Sequence, residues 1–165
     1  MKNNNLTLIG MPGCGKSTVG VLLAKTLGLQ FVDTDLLIQQ KHNMLLRRII
    51  EARGIAAFKR MEAGVILALD CEDTCIATGG RAVYSGQAMQ HLRSISTIVF
   101  IDLPCDEIER RIADIRGRGV VMDRGKTLPE LFRERRPLYL RYADIVIDAH
   151  GMGVETVLTE IARRM

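Results

Sequence analysis

Residues Gly10-Met11-Pro12-Gly13-Cys14-Gly15-Lys16-Ser17 spell G-x-x-x-x-G-K-S, the pattern that most narrows what this chain can become. With glycine near 7% of ordinary sequences, the four fixed positions arise by chance in roughly one chain in two hundred of this length. The glycines let backbone N–H groups turn inward around a phosphate, and a helix opening near Lys16 adds its positive end. In such a cradle Lys16 reaches the β- and γ-phosphates and Ser17 ligates Mg²⁺. Gly13, Cys14, Gly15, Lys16, Ser17 and Thr18 are therefore the candidate ATP-binding residues. The pattern also needs a strand before it and a helix after it. Leu6 to Ile9 is a short apolar run closed by Gly10, and Val19, Leu22, Leu23 and Leu27 recur at helical spacing before Gly28.

Further strands are predicted at Phe31-Val32, Cys75 to Thr78, Thr97 to Asp102 and Asp144 to Ile147. Helices are predicted over about 36–53, 55–69 and 105–115, and through Val154, Val157, Leu158 and Ile161. Phe58, Met61, Val65 and Leu69 share one helical face. Strands alternating with helices imply an α/β domain with a parallel sheet covered on both faces. A chain of 165 residues without repeats or linkers fits a single domain.

Several function classes drop out. Aromatics are 4% of the chain, tryptophan is absent and the net charge is only +4, which argues against a nucleic-acid partner. The longest apolar run, Ala63 to Leu69, is far short of the roughly 18 residues of a membrane span, and Met1 to Leu6 has no signal-peptide core. A cytoplasmic protein without a membrane partner is expected. Cys14, Cys71, Cys75 and Cys105 form no C-x-x-C pair and are expected to be reduced thiols, with Cys14, at a helix start, the most reactive. His42, His91 and His150 have no metal or triad spacing and are expected to be surface or capping residues. A GTPase would usually carry N-K-x-D, yet the asparagines stand only at positions 3, 4, 5 and 43. What remains is a small kinase with a mobile lid, taking ATP, Mg²⁺ and a small anionic hydroxylated metabolite.

The other motifs give this class a closer likeness. Asp33-Thr34-Asp35 after the second strand, Phe58-Lys59-Arg60-Met61-Glu62, Ala77-Thr78-Gly79-Gly80, and Arg135-Arg136-Pro137-Leu138-Tyr139 resemble, in order, the D-[ST]-D, F-R-x-x-E, A-T-G-G-G and R-x-P-L-Y of the shikimate kinase family. The resemblance runs nearly end to end. It implies a three-layer P-loop NTPase fold with a five-stranded parallel sheet ordered 2-3-1-4-5, an acceptor-binding region about 36–62, and a lid about 112–126. A monomer and phosphorylation of the shikimate 3-hydroxyl are implied too.

Carried over residue by residue, the resemblance puts Asp33 beside the metal with Ser17. Asp35 would orient, and could deprotonate, the attacking hydroxyl; an N-cap on the following helix is its alternative use. Arg118 would neutralise the transferring phosphoryl as a lid arginine, or be a solvated loop residue. Arg111 matches an arginine that stacks on adenine, with Arg110 adjacent to it. Arg135 would grip the acceptor carboxylate with its planar fork. Lys59, Gly79 and Gly80 complete the acceptor-binding set.

The chain departs from the family pattern near the acceptor. Lys59 stands for an arginine, losing a bidentate fork. Arg81 stands for the third glycine, where a positive φ would strain it. The lid reads Arg118-Gly119-Val120-Val121-Met122 where R-P-L-L is usual. These changes fit a working shikimate kinase that has drifted. They also fit a kinase of another hydroxy acid, such as homoserine. A non-catalytic nucleotide-binding domain is a third reading, against which Lys16, Ser17, Asp33, Asp35 and Arg118 all count.

Overall fold

The predicted strands assemble into one parallel sheet in the order β2-β3-β1-β4-β5. The computed structural model describes residues 4–115 and 125–165. Its strands are β1 (Asn5–Ile9), β2 (Gln30–Asp33), β3 (Thr74–Ala77), β4 (Ser96–Asp102) and β5 (Ile145–Asp148). The helices among the described residues are α1 (Lys16–Leu27), α2 (Thr34–His42), α3 (Leu46–Leu67), α4 (Gly86–Ile95), α5 (Cys105–Ile115), α6 (Leu128–Tyr142) and α7 (Val154–Arg163).

Leu6, Leu8, Ile9, Ile76, Ile98, Val99 and Phe100 are buried from both faces, which is why the strands read as continuous apolar runs instead of alternating. Helix α1 packs on β1, β2 and β3 and against α7, while α3 packs against α4, and α4 and α6 pack on β4. Each fully buried aliphatic side chain contributes roughly 1.5–3 kcal/mol, so this sheet core dominates stability. A buried polar contact between β1 and β4, Thr7 to Ser96, is satisfied by a 2.7 Å hydroxyl–hydroxyl bond, with Ser96 Oγ donating onward to the Leu92 carbonyl.

From β1 the chain crosses past β3 to the edge strand β2, and from β3 it crosses back past β1 to β4. The carboxyl ends of β1 and β3 therefore flank a topological switch point, the usual place for a ligand in an open α/β sheet. Beside it, Ile38, Ile49, Phe58 and Val65 form a second small core that clamps α2 onto α3. Phe58, Met61 and Val65 lie on it as their spacing predicted, while Leu69 joins the main core.

The helix expected over 36–53 is interrupted. α2 ends at Asn43, whose φ of 48° is a left-handed C-cap, and α3 begins only at Leu46. The expected junction at residue 54 exists as a kink: Gly54 has φ 77° and ψ 165° inside α3. No element was predicted over 81–96 or 127–143, where α4 and α6 occur. Ser85 caps α4 by accepting from the Ala88 amide, and Thr127 and Glu130 cap α6 reciprocally. Cys14 is only 2% exposed, so it is a packed thiol and the expectation that it would be the most reactive fails on access. Among the described residues, no helix is long and apolar enough to cross a membrane.

Candidate active site

The loop from Gly10 to Gly15 leaves β1 and feeds α1. Gly15 takes φ 100°, a left-handed conformation that glycine adopts at no steric cost. No side chain caps α1, so its first N–H groups stay available to an anion, with Ser17 and Thr18 in that first turn. Lys16 is 8% exposed, and its Nζ donates to the Gly10 and Met11 carbonyls at 2.9 Å each. The ammonium thus lies across the cradle, held by the loop that surrounds it.

Asp33 ends β2 and faces two ways. Its Oδ2 accepts from Ser17 Oγ at 2.7 Å, and its Oδ1 accepts from the Asp35 and Leu36 amides at 2.9 and 3.3 Å. The α2 N-cap is therefore Asp33. The alternative N-cap use of Asp35 is corrected: with the cap supplied two residues earlier, its carboxylate is aimed elsewhere.

It is aimed at Gly79. A Cβ on Gly79 would stand 2.7 Å from Asp35 Oδ1 and 2.4 Å from Glu62 Oε1, so two carboxyls converge on this strand end. Burial, then the charge of Asp33, pushes Asp35 up to about 6, partly offset by Lys16 and Arg81. Burial, then Asp35, pushes Glu62 up to about 7, with Arg81, Arg135 and Lys16 opposing. Gly79→Ala is expected to cost about 2 kcal/mol, a fall in Tm of about 5 °C, and to depress acceptor kcat/KM at least about tenfold. Thermal melts and acceptor titrations check this; unchanged values for both would mean the carboxyls do not crowd Gly79.

Gly80 links the cradle to α6. A Cβ there would meet Pro12 Cδ at 2.9 Å and Arg135 Nη1 at 3.2 Å. Arg135 is 1% exposed, and its Nε donates to Tyr84 Oη at 3.0 Å. Lys59 also meets Tyr84, with Nζ 4.8 Å from the ring centroid. The crevice thus gathers Lys16, Ser17, Asp33, Asp35, Gly79, Gly80 and Arg135, with Lys59 at its rim.

Arg111 and Arg110 separate clearly. Arg111 Nη1 donates to the Cys14 carbonyl at 3.5 Å, against the phosphate loop, whereas Arg110 turns away to Asp106 at 3.0 Å. Arg118 and most of the expected lid lie outside the described residues. His91 bonds the Leu69 carbonyl at 2.8 Å, a structural role, and among the described residues no group of three or more His, Cys, Asp or Glu could hold a metal.

A model of the family described as shikimate kinase matches residues 12–165. The shikimate kinase of Caldanaerobacter subterraneus subsp. tengcongensis is 36% identical over 162 residues, covering 96% of this chain and 94% of that protein. That of Francisella tularensis subsp. novicida is 32% identical, covering 98% and 94%. The chain belongs to the shikimate kinase family. Among solved structures, the Acinetobacter baumannii shikimate kinase in complex with shikimate superposes with a TM-score of 0.89 at 27% identity, covering 97% of this chain and 91% of that one. The Aquifex aeolicus shikimate kinase gives 0.83 at 33% identity, covering 96% and 94%.

As a member of the shikimate kinase family, the chain is a phosphotransferase that moves a phosphoryl group from a nucleotide to a hydroxyl. The family-atypical Arg81 causes no backbone strain: its φ is −92°, so the positive-φ concern does not apply. Its side chain is 6% exposed and lies over the Phe58 ring at 5.6 Å. With Lys59, Glu62 and Tyr84 it lines a small cleft of about 70 Å³. Two residues of the site were missed by sequence reasoning. Glu62 was noted inside a motif without a role, although a carboxylate on the Phe58–Val65 face was itself a signal. Tyr84 had no signal, since only the fold brings it between Lys59 and Arg135.

Proposed function

We propose that this chain transfers the γ-phosphoryl group of Mg²⁺-ATP to the 3-hydroxyl of shikimate. The observation carrying the proposal is the convergence of the Asp35 and Glu62 carboxyls on Gly79, beside the phosphate cradle and within reach of Arg135. That arrangement offers a hydroxyl acceptor on one side of an anionic ligand and a cation on the other.

In this reading the cradle amides and Lys16 hold the β- and γ-phosphates, and Arg111 borders the nucleotide. Asp35 takes a hydrogen bond from the acceptor hydroxyl, orients its oxygen toward the γ-phosphorus and accepts its proton as the new P–O bond forms. The bond to the β,γ-bridging oxygen breaks, and ADP leaves. Arg135 and Lys59 hold the acceptor carboxylate, and Arg118 supplies positive charge to the phosphoryl group in flight.

A Mg²⁺ ion fits the donor set. The Ser17 hydroxyl and the Asp33 carboxylate are hard oxygen donors already 2.7 Å apart, and this metal is held by one or two protein groups plus phosphates and waters. When bound it would neutralise charge on the β- and γ-phosphates. A monomer acting in the cytoplasm completes the proposal.

The test is ADP release with Mg²⁺-ATP and shikimate, homoserine or gluconate in separate reactions. Turnover with shikimate, at least about 100-fold above that with the others, is expected. Turnover only with homoserine or gluconate would overturn the acceptor, making Lys59 and Arg81 marks of a changed specificity. ATP binding without turnover on any of them would favour the non-catalytic reading.

A further inference from the structure

The lysine at position 59 poses a physical difficulty. A bidentate guanidinium fixes a carboxylate by its own planar shape, whereas an ammonium on a flexible four-carbon stem is a point charge with no preferred direction. Lys59 is exposed, so neither packing nor burial restrains that stem. What it meets is the face of Tyr84, 4.8 Å from Nζ to the ring centroid. The same ring carries Arg135, whose Cζ is 5.2 Å from the centroid.

The hydroxyl of Tyr84 adds a directional bond. It accepts from Arg135 Nε at 3.0 Å and donates to Glu134 Oε1, and Glu134 is itself paired with Lys126. Burial and the bond to Glu134 hold the phenol's pKa above its ordinary value, so it stays a neutral group that can donate and accept at once. Bonding Arg135 through Nε leaves the guanidinium oriented with Nη1 toward Gly80, the glycine that faces Pro12 of the phosphate loop. The ring's own position is set by the short 3₁₀ turn Ala82–Tyr84. There the Ala82 amide donates to the Gly79 carbonyl at 3.2 Å and the Tyr84 amide to the Arg81 carbonyl at 3.0 Å. The backbone that shapes the crevice thus also places the ring.

We propose that Tyr84 is a positioning residue that ties Lys59 and Arg135 into a single clamp for the carboxylate of the acceptor. The clamp rests on the acceptor reading given above. It explains how this chain works with a lysine where a forked arginine is usual: the aromatic face restrains the ammonium, and the phenol oxygen fixes the arginine beside it. Tyr84 touches the two cations and acts through them.

The experiment uses the full chain with Tyr84→Phe, Tyr84→Leu, Lys59→Met and the double variant Tyr84→Leu/Lys59→Met. For each, kcat, the KM for shikimate, the KM for ATP and the melting temperature are measured, and shikimate binding is followed by calorimetry without nucleotide. Tyr84→Phe, which keeps the ring and loses the oxygen, is expected to raise the shikimate KM about 5-fold with the ATP KM unchanged. Tyr84→Leu loses both contacts and should raise it about 20-fold. In the Lys59→Met background the Leu substitution should cost at least about 3-fold less, because part of its effect acts through Lys59.

An unchanged shikimate KM in Tyr84→Leu would overturn the clamp. So would a parallel rise of both KM values with a lower melting temperature, or full additivity with Lys59→Met. If wild-type protein binds shikimate but does not phosphorylate it, the acceptor reading fails and the calorimetric constants still decide the clamp. If it does neither, both fail together.

Discussion

Asp35→Asn is expected to lower kcat about 1,000-fold, with the melting temperature of the free protein unchanged or raised. The amide keeps the size of the carboxyl and can still meet the substrate, but it can neither accept the hydroxyl proton nor carry the negative charge that sharpens the oxygen's nucleophilicity. Positioned general bases contribute about 10²–10⁴-fold, which sets the scale. A loss below about tenfold would remove Asp35 from the chemistry and leave it as a binding group.

The same carboxyl predicts two opposite pH trends. Activity requires the ionised form, so kcat/KM for the acceptor should rise with pH through an apparent value near 6 to 7. The buried pair titrates together, with Asp35 at about 6 and Glu62 at about 7. Stability runs the other way. Both folded-state values lie above those of the unfolded chain, so between about pH 4 and 7 the folded protein holds the extra protons. The stabilisation is complete below the unfolded values and is lost as pH rises through the folded ones. By pH 8 the pair withholds on the order of 6 kcal/mol, and Asp35→Asn should flatten the fall in Tm across that window. A wild-type Tm that climbs from pH 5 to 8 would contradict the burial of these carboxyls. Their proximity is best understood as functional: an anionic pocket wall that is unfavourable until cations and substrate share the charge.

The strands and the phosphate loop were legible because they depend on local chemistry, whereas the strand order came from the family resemblance. A buried parallel strand must be apolar on both faces, and a phosphate loop must have glycine where its amides turn inward. The helix boundaries were less legible. Asn43 ends α2 through a left-handed φ that asparagine tolerates but does not announce. α6 was missed although Thr127 and Glu130 form a capping box, because Pro137 stands inside it and suggests a break. In the crevice, Lys16 and Ser17 follow from the spacing of the phosphate motif and Asp33 from the family resemblance, and Ser17 and Asp33 are in hydrogen-bond contact. Glu62 and Tyr84, to which the sequence reading gave no role, are different in kind. They reach the acceptor pocket from α3 and from the turn after β3, and only the packing of those elements brings them within reach of Asp35 and Arg135.

Lys16→Ala should reduce kcat/KM for ATP about 1,000-fold while leaving the far-ultraviolet circular dichroism unchanged. The ammonium is enclosed by its own loop, donating to the Gly10 and Met11 carbonyls at 2.9 Å. Those oxygens also lie in the cradle, so their loss of a partner can be made good by water and the loop should persist. The expected damage is electrostatic. A fixed charge aimed at a transferring phosphoryl group in a water-poor site is worth about 10²–10³-fold in rate, and ground-state binding adds to it. Lys16→Arg distinguishes charge from fit. The residue is 8% exposed between two backbone carbonyls, a space that takes an ammonium and not a planar fork, so arginine should rescue less than about tenfold. Full rescue by arginine would mean that only charge is required. Near-normal turnover of Lys16→Ala would mean that the loop's amides and α1 alone carry the phosphates.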